Sequence, residues 1–110
     1  MNKFELCSID NKNITLKLGE VKMDGSLLKV KVKELKKESN ILFEDEIATV
    51  AFTGQDKVVL SFKCEPRNKL LDITNNQDII DYIYKNIAPE IRRSTDLYYY
   101  SSTYKDNYEE

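Results

Sequence analysis

The side chains able to do chemistry in this chain of 110 residues are few, and histidine is not among them. Its absence removes the commonest general base at neutral pH and the commonest transition-metal ligand. It also removes the Ser-His-Asp and Cys-His arrangements that activate a nucleophile. Cys7 and Cys64 are far apart, whereas a structural zinc site draws on paired thiolates. The three glycines, Gly19, Gly25 and Gly54, are too scattered to build a loop that cradles phosphate. No stretch supplies the dense oxygen ladder and glycine kink of a calcium loop. The expectation is a protein with no catalytic residue, no metal and no cofactor, and so not an enzyme.

What remains is charge and tyrosine. Glu44, Asp45 and Glu46 form an acidic knot in "LFEDEIATVAF". Three adjacent carboxylates could hold a cation or face a basic partner. Successive residues of an extended chain point to opposite sides, however, so an acidic turn leading into a strand is the plainer reading. Lys29, Lys31 and Lys33 alternate along "LLKVKVKEL", which places three ammonium groups on one side of a strand. With Arg67, Arg92 and Arg93 they are the candidate anion-binding residues, since arginine suits phosphate and carboxylate. A solvated strand face and a helix C-terminus are the ordinary homes for such cations. The C-terminal "YYYSSTYKDNYEE" carries Tyr98, Tyr99, Tyr100, Tyr104 and Tyr108. Tyrosine offers large contact area with few rotors and a polar tip, so these five are the candidate partner-binding residues. A strap over the protein's own sheet is the alternative.

These groups need elements to hold them. Hydrophobic residues make up 41% of the chain and charged residues 33%, a balance that supports one folded domain with a highly charged surface. The formal net charge of −2 does not demand a polyanionic partner. Residues 1–70 hold thirteen Lys/Arg against eleven Asp/Glu, and residues 71–110 four against eight, so the tail is the acidic part. Apolar residues alternate in "NITLKL", "LLKVKVKEL", "EIATVAF" and "KVVLSFKCE", with shorter extended runs at "FELCSI" and "KLLDI". Asp24-Gly25 and Gly54 supply hairpin turns. The regular spacing predicts a mainly β fold, a small antiparallel barrel or sandwich of five to six strands. After Ile73 the period lengthens, and Ile79, Ile80, Ile83, Ile87 and Ile91 define one face of a C-terminal helix. Thr74 with Gln77, or Asn75 with Asp78, can cap its start, and Pro89 should end or kink it. A single barrel-plus-helix domain over residues 1–96 and a tyrosine-rich acidic tail over 97–110 follow. The cysteines read as buried free thiols.

The run of strands from Asn13, then "LFEDEIATVAF", "KVVLSFKCE", "NKLLDI" and the helix "DIIDYIYKNIAPEIRR" to Arg93, resembles the layout of the PilZ family of small six-stranded barrels. Members that bind cyclic di-GMP use an N-terminal Arg-x-x-x-Arg and an Asp/Asn-x-Ser-x-x-Gly. Here no Arg precedes Arg67, and "DITNNQ" (72–77) has Thr for Ser and no Gly. The resemblance is one of layout. It implies a degenerate member that keeps the barrel, has lost the nucleotide site and acts as an adaptor through protein contacts.

The functional expectation is a non-enzymatic regulatory or adaptor module that binds a protein partner or itself. The alternative is a small barrel that binds a nucleotide of the cyclic di-GMP type, or nucleic acid, through its lysine face. The start "MNKFELCSIDNK" lacks an apolar core long enough for a signal peptide, and no run could span a bilayer, so a cytoplasmic location without membrane insertion is expected.

Overall fold

The computed structural model describes residues 7–8, 12–53, 56–92 and 95–102, the first pair as backbone alone. Six strands are present: β1 (Cys7–Ser8), β2 (Ile14–Asp24), β3 (Leu27–Lys37), β4 (Asn40–Thr53), β5 (Lys57–Phe62) and β6 (Lys69–Asp72). They form one sheet in the order β1-β6-β5-β4-β3-β2. β1 lies parallel to β6, and every other neighbouring pair is antiparallel. The fold is mainly β with a short C-terminal helix, as the alternation implies. Among the described residues the ladder does not close on itself, since β1 and β2 stand at its two margins. The turn around Gly54 and the end residues of "FELCSI" lie outside the described residues.

Alternation decides the faces. Leu28, Val30 and Val32 of β3, Ala48 and Val50 of β4, Val58, Leu60 and Phe62 of β5 and Leu71 of β6 are buried in one continuous core. Gly25, with φ of 64°, makes the expected turn between β2 and β3 in a conformation that glycine adopts without steric cost. The chain then departs from simple alternation. In β3 the buried set runs through even positions to Val32 and resumes at Leu35. In β4 it runs back from Val50 to Ala48 and resumes with the half-buried Phe43. The inward face therefore slips by one residue in both strands at the same level. Two backbone features mark the slip. The β2–β3 register shifts between Lys17 and Leu18, where Lys33 goes unpaired, and Asp45 adopts φ of 55°. The acidic knot is this bend. It is not a turn ahead of the strand, and β4 begins at Asn40 rather than at Glu46. Past the bend the long hairpin arm curls back, and Phe43 stacks on Phe62 with ring centroids 4.4 Å apart and planes 13° from parallel.

Helix α1 (Gln77–Lys85) covers the apolar side of the sheet. Its start is capped by Asn76, whose side chain accepts from the Ile79 N–H at 3.3 Å. Thr74 does different work from that expected. Its hydroxyl accepts from the Val58 N–H at 2.9 Å and so ties the helix entry to β5. Ile80 and Ile83 are fully buried, and Tyr84 and Ile87 nearly so. Ile79 and Ile91 pack half-buried at the core's margin. Pro89 opens a second short helix, α2 (Pro89–Arg92), where its missing N–H costs nothing. Tyr82 reaches from α1 to the edge strand and donates its hydroxyl to the Gly19 carbonyl at 2.8 Å. The lysine stems of β3 pack close against Gly19. A Cβ there would sit 3.1 Å from Lys33 Cε and 3.3 Å from Lys31 Cγ. The helix thus bridges toward the strand that the open ladder leaves at its margin.

Burying each isoleucine of α1 contributes about 1.5–3 kcal/mol before entropy. Ile83→Ala should cost about 2–5 kcal/mol in urea unfolding, and Ile83→Asp should abolish folding. An unchanged midpoint would mean the helix is not docked. The bend gives a second expectation. Asp45→Gly should leave stability close to that of the parent, whereas Asp45→Val should lose about 1–2 kcal/mol, because a β-branched residue resists the left-handed backbone.

Candidate interaction surface

The tyrosine segment is built into the fold as far as it is described. Thr95 caps a 3-10 helix, Asp96–Tyr99, by accepting from the Leu97 N–H at 3.0 Å. Leu97 is fully buried in the main core. Tyr98 faces Tyr84 at 6.5 Å and Tyr100 faces Phe52 at 6.2 Å, so both rings extend the core outward. Burial and the nearby carboxylates of Asp56 and Asp96 push the Tyr100 phenol above its ordinary range. Tyr99 is 72% exposed and points away from the fold. Tyr104 and Tyr108 lie outside the described residues.

One carboxylate clamps this segment to α1. Asp81 accepts from Gln77 Nε2 at 2.9 Å, from the Ser102 N–H at 3.0 Å, from the Ser101 hydroxyl at 3.2 Å and from the Ser102 hydroxyl. Gln77 also donates to the Tyr100 carbonyl. Burial opposes ionisation of Asp81. The hydrogen bonds from Ser102, Gln77 and Ser101 outweigh it and hold the carboxyl below its ordinary 3.8. The sequence reading missed this group. Its members are polar residues separated by about twenty positions, and a Gln-x-x-x-Asp spacing on a helix says only that the two share a face.

The candidate cations do not share one surface. Lys29, Lys31 and Lys33 alternate with the buried positions of β3, on the side of the sheet away from α1. Lys29 pairs with Asp24 at 3.3 Å. Arg92 is on the helical side, its guanidinium 5.5 Å from the centre of the Tyr84 ring. Arg67 is exposed in the connection between β5 and β6. Arg93 lies outside the described residues. Cys64 is a free thiol in the same connection as Arg67. Among the described residues, no group of three or more His, Cys, Asp or Glu side chains converges as a metal site would require.

Besides the outer edge of β2, which ends the sheet, the described residues leave a second free edge along the first half of β4. This strand has fourteen residues, yet its ladder with β5 runs only from Ala48 to Thr53. Phe62 is the last residue of β5, after which the chain leaves the sheet toward Pro66. Asn40 to Ile47 therefore pair with β3 on one side and, among the described residues, with nothing on the other. Ile41, Leu42 and Ile47 are 50%, 42% and 45% exposed along this half. Glu44, Asp45 and Glu46 are exposed between them. The register shift between Leu35 and Lys36 makes Leu42 a bulged residue. Bulges and charges are how free edges are kept from pairing indiscriminately. No family of proteins, no curated protein and no solved structure matches this chain.

The clamp gives a pH expectation. Because the folded-state pKa of Asp81 is depressed, its contribution is complete above the unfolded value of about 3.9 and is lost as pH falls through the folded value. The stability difference between the parent and Asp81→Asn should be constant from pH 7 to about pH 5 and shrink toward pH 3. A difference that persists undiminished at pH 2.5 would show that the carboxylate charge is not what holds the segment.

Proposed function

We propose that this chain is a non-enzymatic interaction module of the regulatory or adaptor kind that binds a protein partner. The observation that carries this reading is the half of β4 from Asn40 to Ile47. Among the described residues its second backbone edge is unpaired, and it carries three exposed aliphatic side chains. Soluble domains rarely leave such a combination without a use, because an unpaired edge templates pairing with another chain. The described tyrosines are a weaker candidate surface. Tyr98 and Tyr100 are engaged with the chain's own core, which leaves Tyr99 to face outward. The dispersal of Lys29, Lys31, Lys33, Arg67 and Arg92 over different faces argues against a single anion site of the cyclic di-GMP kind. No helix among the described residues is long and apolar enough to cross a membrane. A cytoplasmic adaptor that keeps a PilZ-like layout without the nucleotide motifs fits this reading.

The test compares two changes in the full chain. Ile41→Ser combined with Ile47→Ser removes exposed apolar area and should leave the melting point within a few degrees of the parent. It should lower capture of partner protein from a cytosolic extract at least tenfold. Deleting residues 103–110 should leave capture intact. Full capture by the double variant, with loss on the deletion, would assign binding to the tail and contradict the assignment to β4.

A further inference from the structure

We propose that the half of β4 left unpaired among the described residues accepts a strand from another protein that carries Lys or Arg among β-branched apolar residues. The inference rests on the reading of β4 as the partner edge and names what that edge takes.

The geometry sets the position. β5 pairs with β4 from Ala48 onward and stops at Phe62. A strand pairing with residues 40–47 on the same side of β4 therefore lies in the row that β5 vacates and continues its line. Away from the bulge at Leu42 and the bend at Asp45, every second residue of β4 turns its N–H and C=O toward that row. An extended segment satisfies those groups by main-chain hydrogen bonds, and the side chains beside it set selectivity.

The side chains set the chemistry. Glu44, Asp45 and Glu46 are exposed, and among the described residues none of them takes part in an ion pair. Lys31 and Lys33 are on β3, on the far side of β4 from the vacant row. A strand in that row meets three carboxylates flanked by Ile41, Leu42 and Ile47. Basic residues answer the first set and apolar residues the second, since opposite charges and apolar pairs stabilise directly facing strands. The same carboxylates discriminate against a second copy of this chain. Antiparallel self-pairing about the middle of residues 40–47 would set Glu44, Asp45 and Glu46 against Phe43, Leu42 and Ile41, where no cation answers the carboxylates, and pairing centred on Asp45 would set the carboxylates against one another, which destabilises a ladder. The added strand is therefore foreign and basic.

The experiment uses the full chain and three labelled extended octapeptides: alternating Lys-Val, alternating Glu-Val, and a copy of residues 40–47. Fluorescence anisotropy should show the Lys-Val peptide binding at least tenfold tighter than either of the others. That binding should weaken as salt rises from 50 to 500 mM. Amide exchange should slow in residues 40–47 and not along β2. The variant carrying Glu44→Lys and Glu46→Lys should reverse the preference toward the Glu-Val peptide. Equal binding of the Lys-Val and Glu-Val peptides, protection of β2 instead, or tightest binding by the copy of residues 40–47 would each overturn the proposal. So would no binding by any peptide while protein capture still depends on Ile41 and Ile47. That last result would leave the interaction reading standing and remove only the basic strand.

Discussion

A strand longer than its neighbour leaves backbone groups without partners, and in this protein that mismatch falls on β4. β3 runs beside β4 for most of its length, whereas β5 covers only its second half. The fold could have compensated by extending β5. Instead Pro66 lies just past the end of β5, and proline cannot donate to a ladder. The arm formed by the start of β2, the end of β3 and the first half of β4 therefore stands beyond the helix-covered sheet. It is steadied by its own bend and by the stack of Phe43 on Phe62.

The bend and the helix solve one problem from two ends. An open sheet with an apolar face must bury that face or aggregate. α1 covers it in the middle through Ile80 and Ile83, and Tyr82 reaches the outer strand at Gly19. At the far end the slip of the inward face at Lys33 and Asp45 turns Leu35 and Phe43 back toward the core. The C-terminal segment completes the cover with Leu97, and Asp81 holds it with hydrogen bonds that a carboxylate accepts better than a neutral group. The cores of the sheet, the helix and the segment are thus one core, and the tyrosines nearest to Leu97 belong to it.

Much of this was legible in the residues. Alternation located β3, β5 and β6 to within three positions, because one face of each is buried, and it located the start of β2 but not its continuation from Leu18 to Asp24. The change of period after Ile73 located α1, but the helix ends at Lys85, before the proline, and Pro89 instead opens α2. The bend was not legible. Left-handed backbone is usually announced by glycine or asparagine, and here Asp45 adopts it inside an acidic run that reads as a turn. That misplaced the start of β4 by several residues and concealed the half-edge, which depends on where β5 stops relative to β4. The Asp81 cluster was hidden for a different reason. Its partners meet only after the chain has folded back across the helix, and short polar residues at such separations carry no pattern. The lysine row lies on the face of β3 opposite the buried positions, as its alternation implies, but its relation to Arg67 and Arg92 needed the topology.

Amide hydrogen exchange of the isolated chain, resolved residue by residue along β4, tests the central claim most directly. From Ala48 to Val50 the amides should be protected throughout, since both sides of the strand are paired there. From Asn40 to Ile47 protection should alternate, with slow exchange at amides directed to β3 and fast exchange at those directed to the vacant row. Uniform protection across residues 40–47 in the isolated monomer would mean the edge is already covered, and the account of this surface would be wrong.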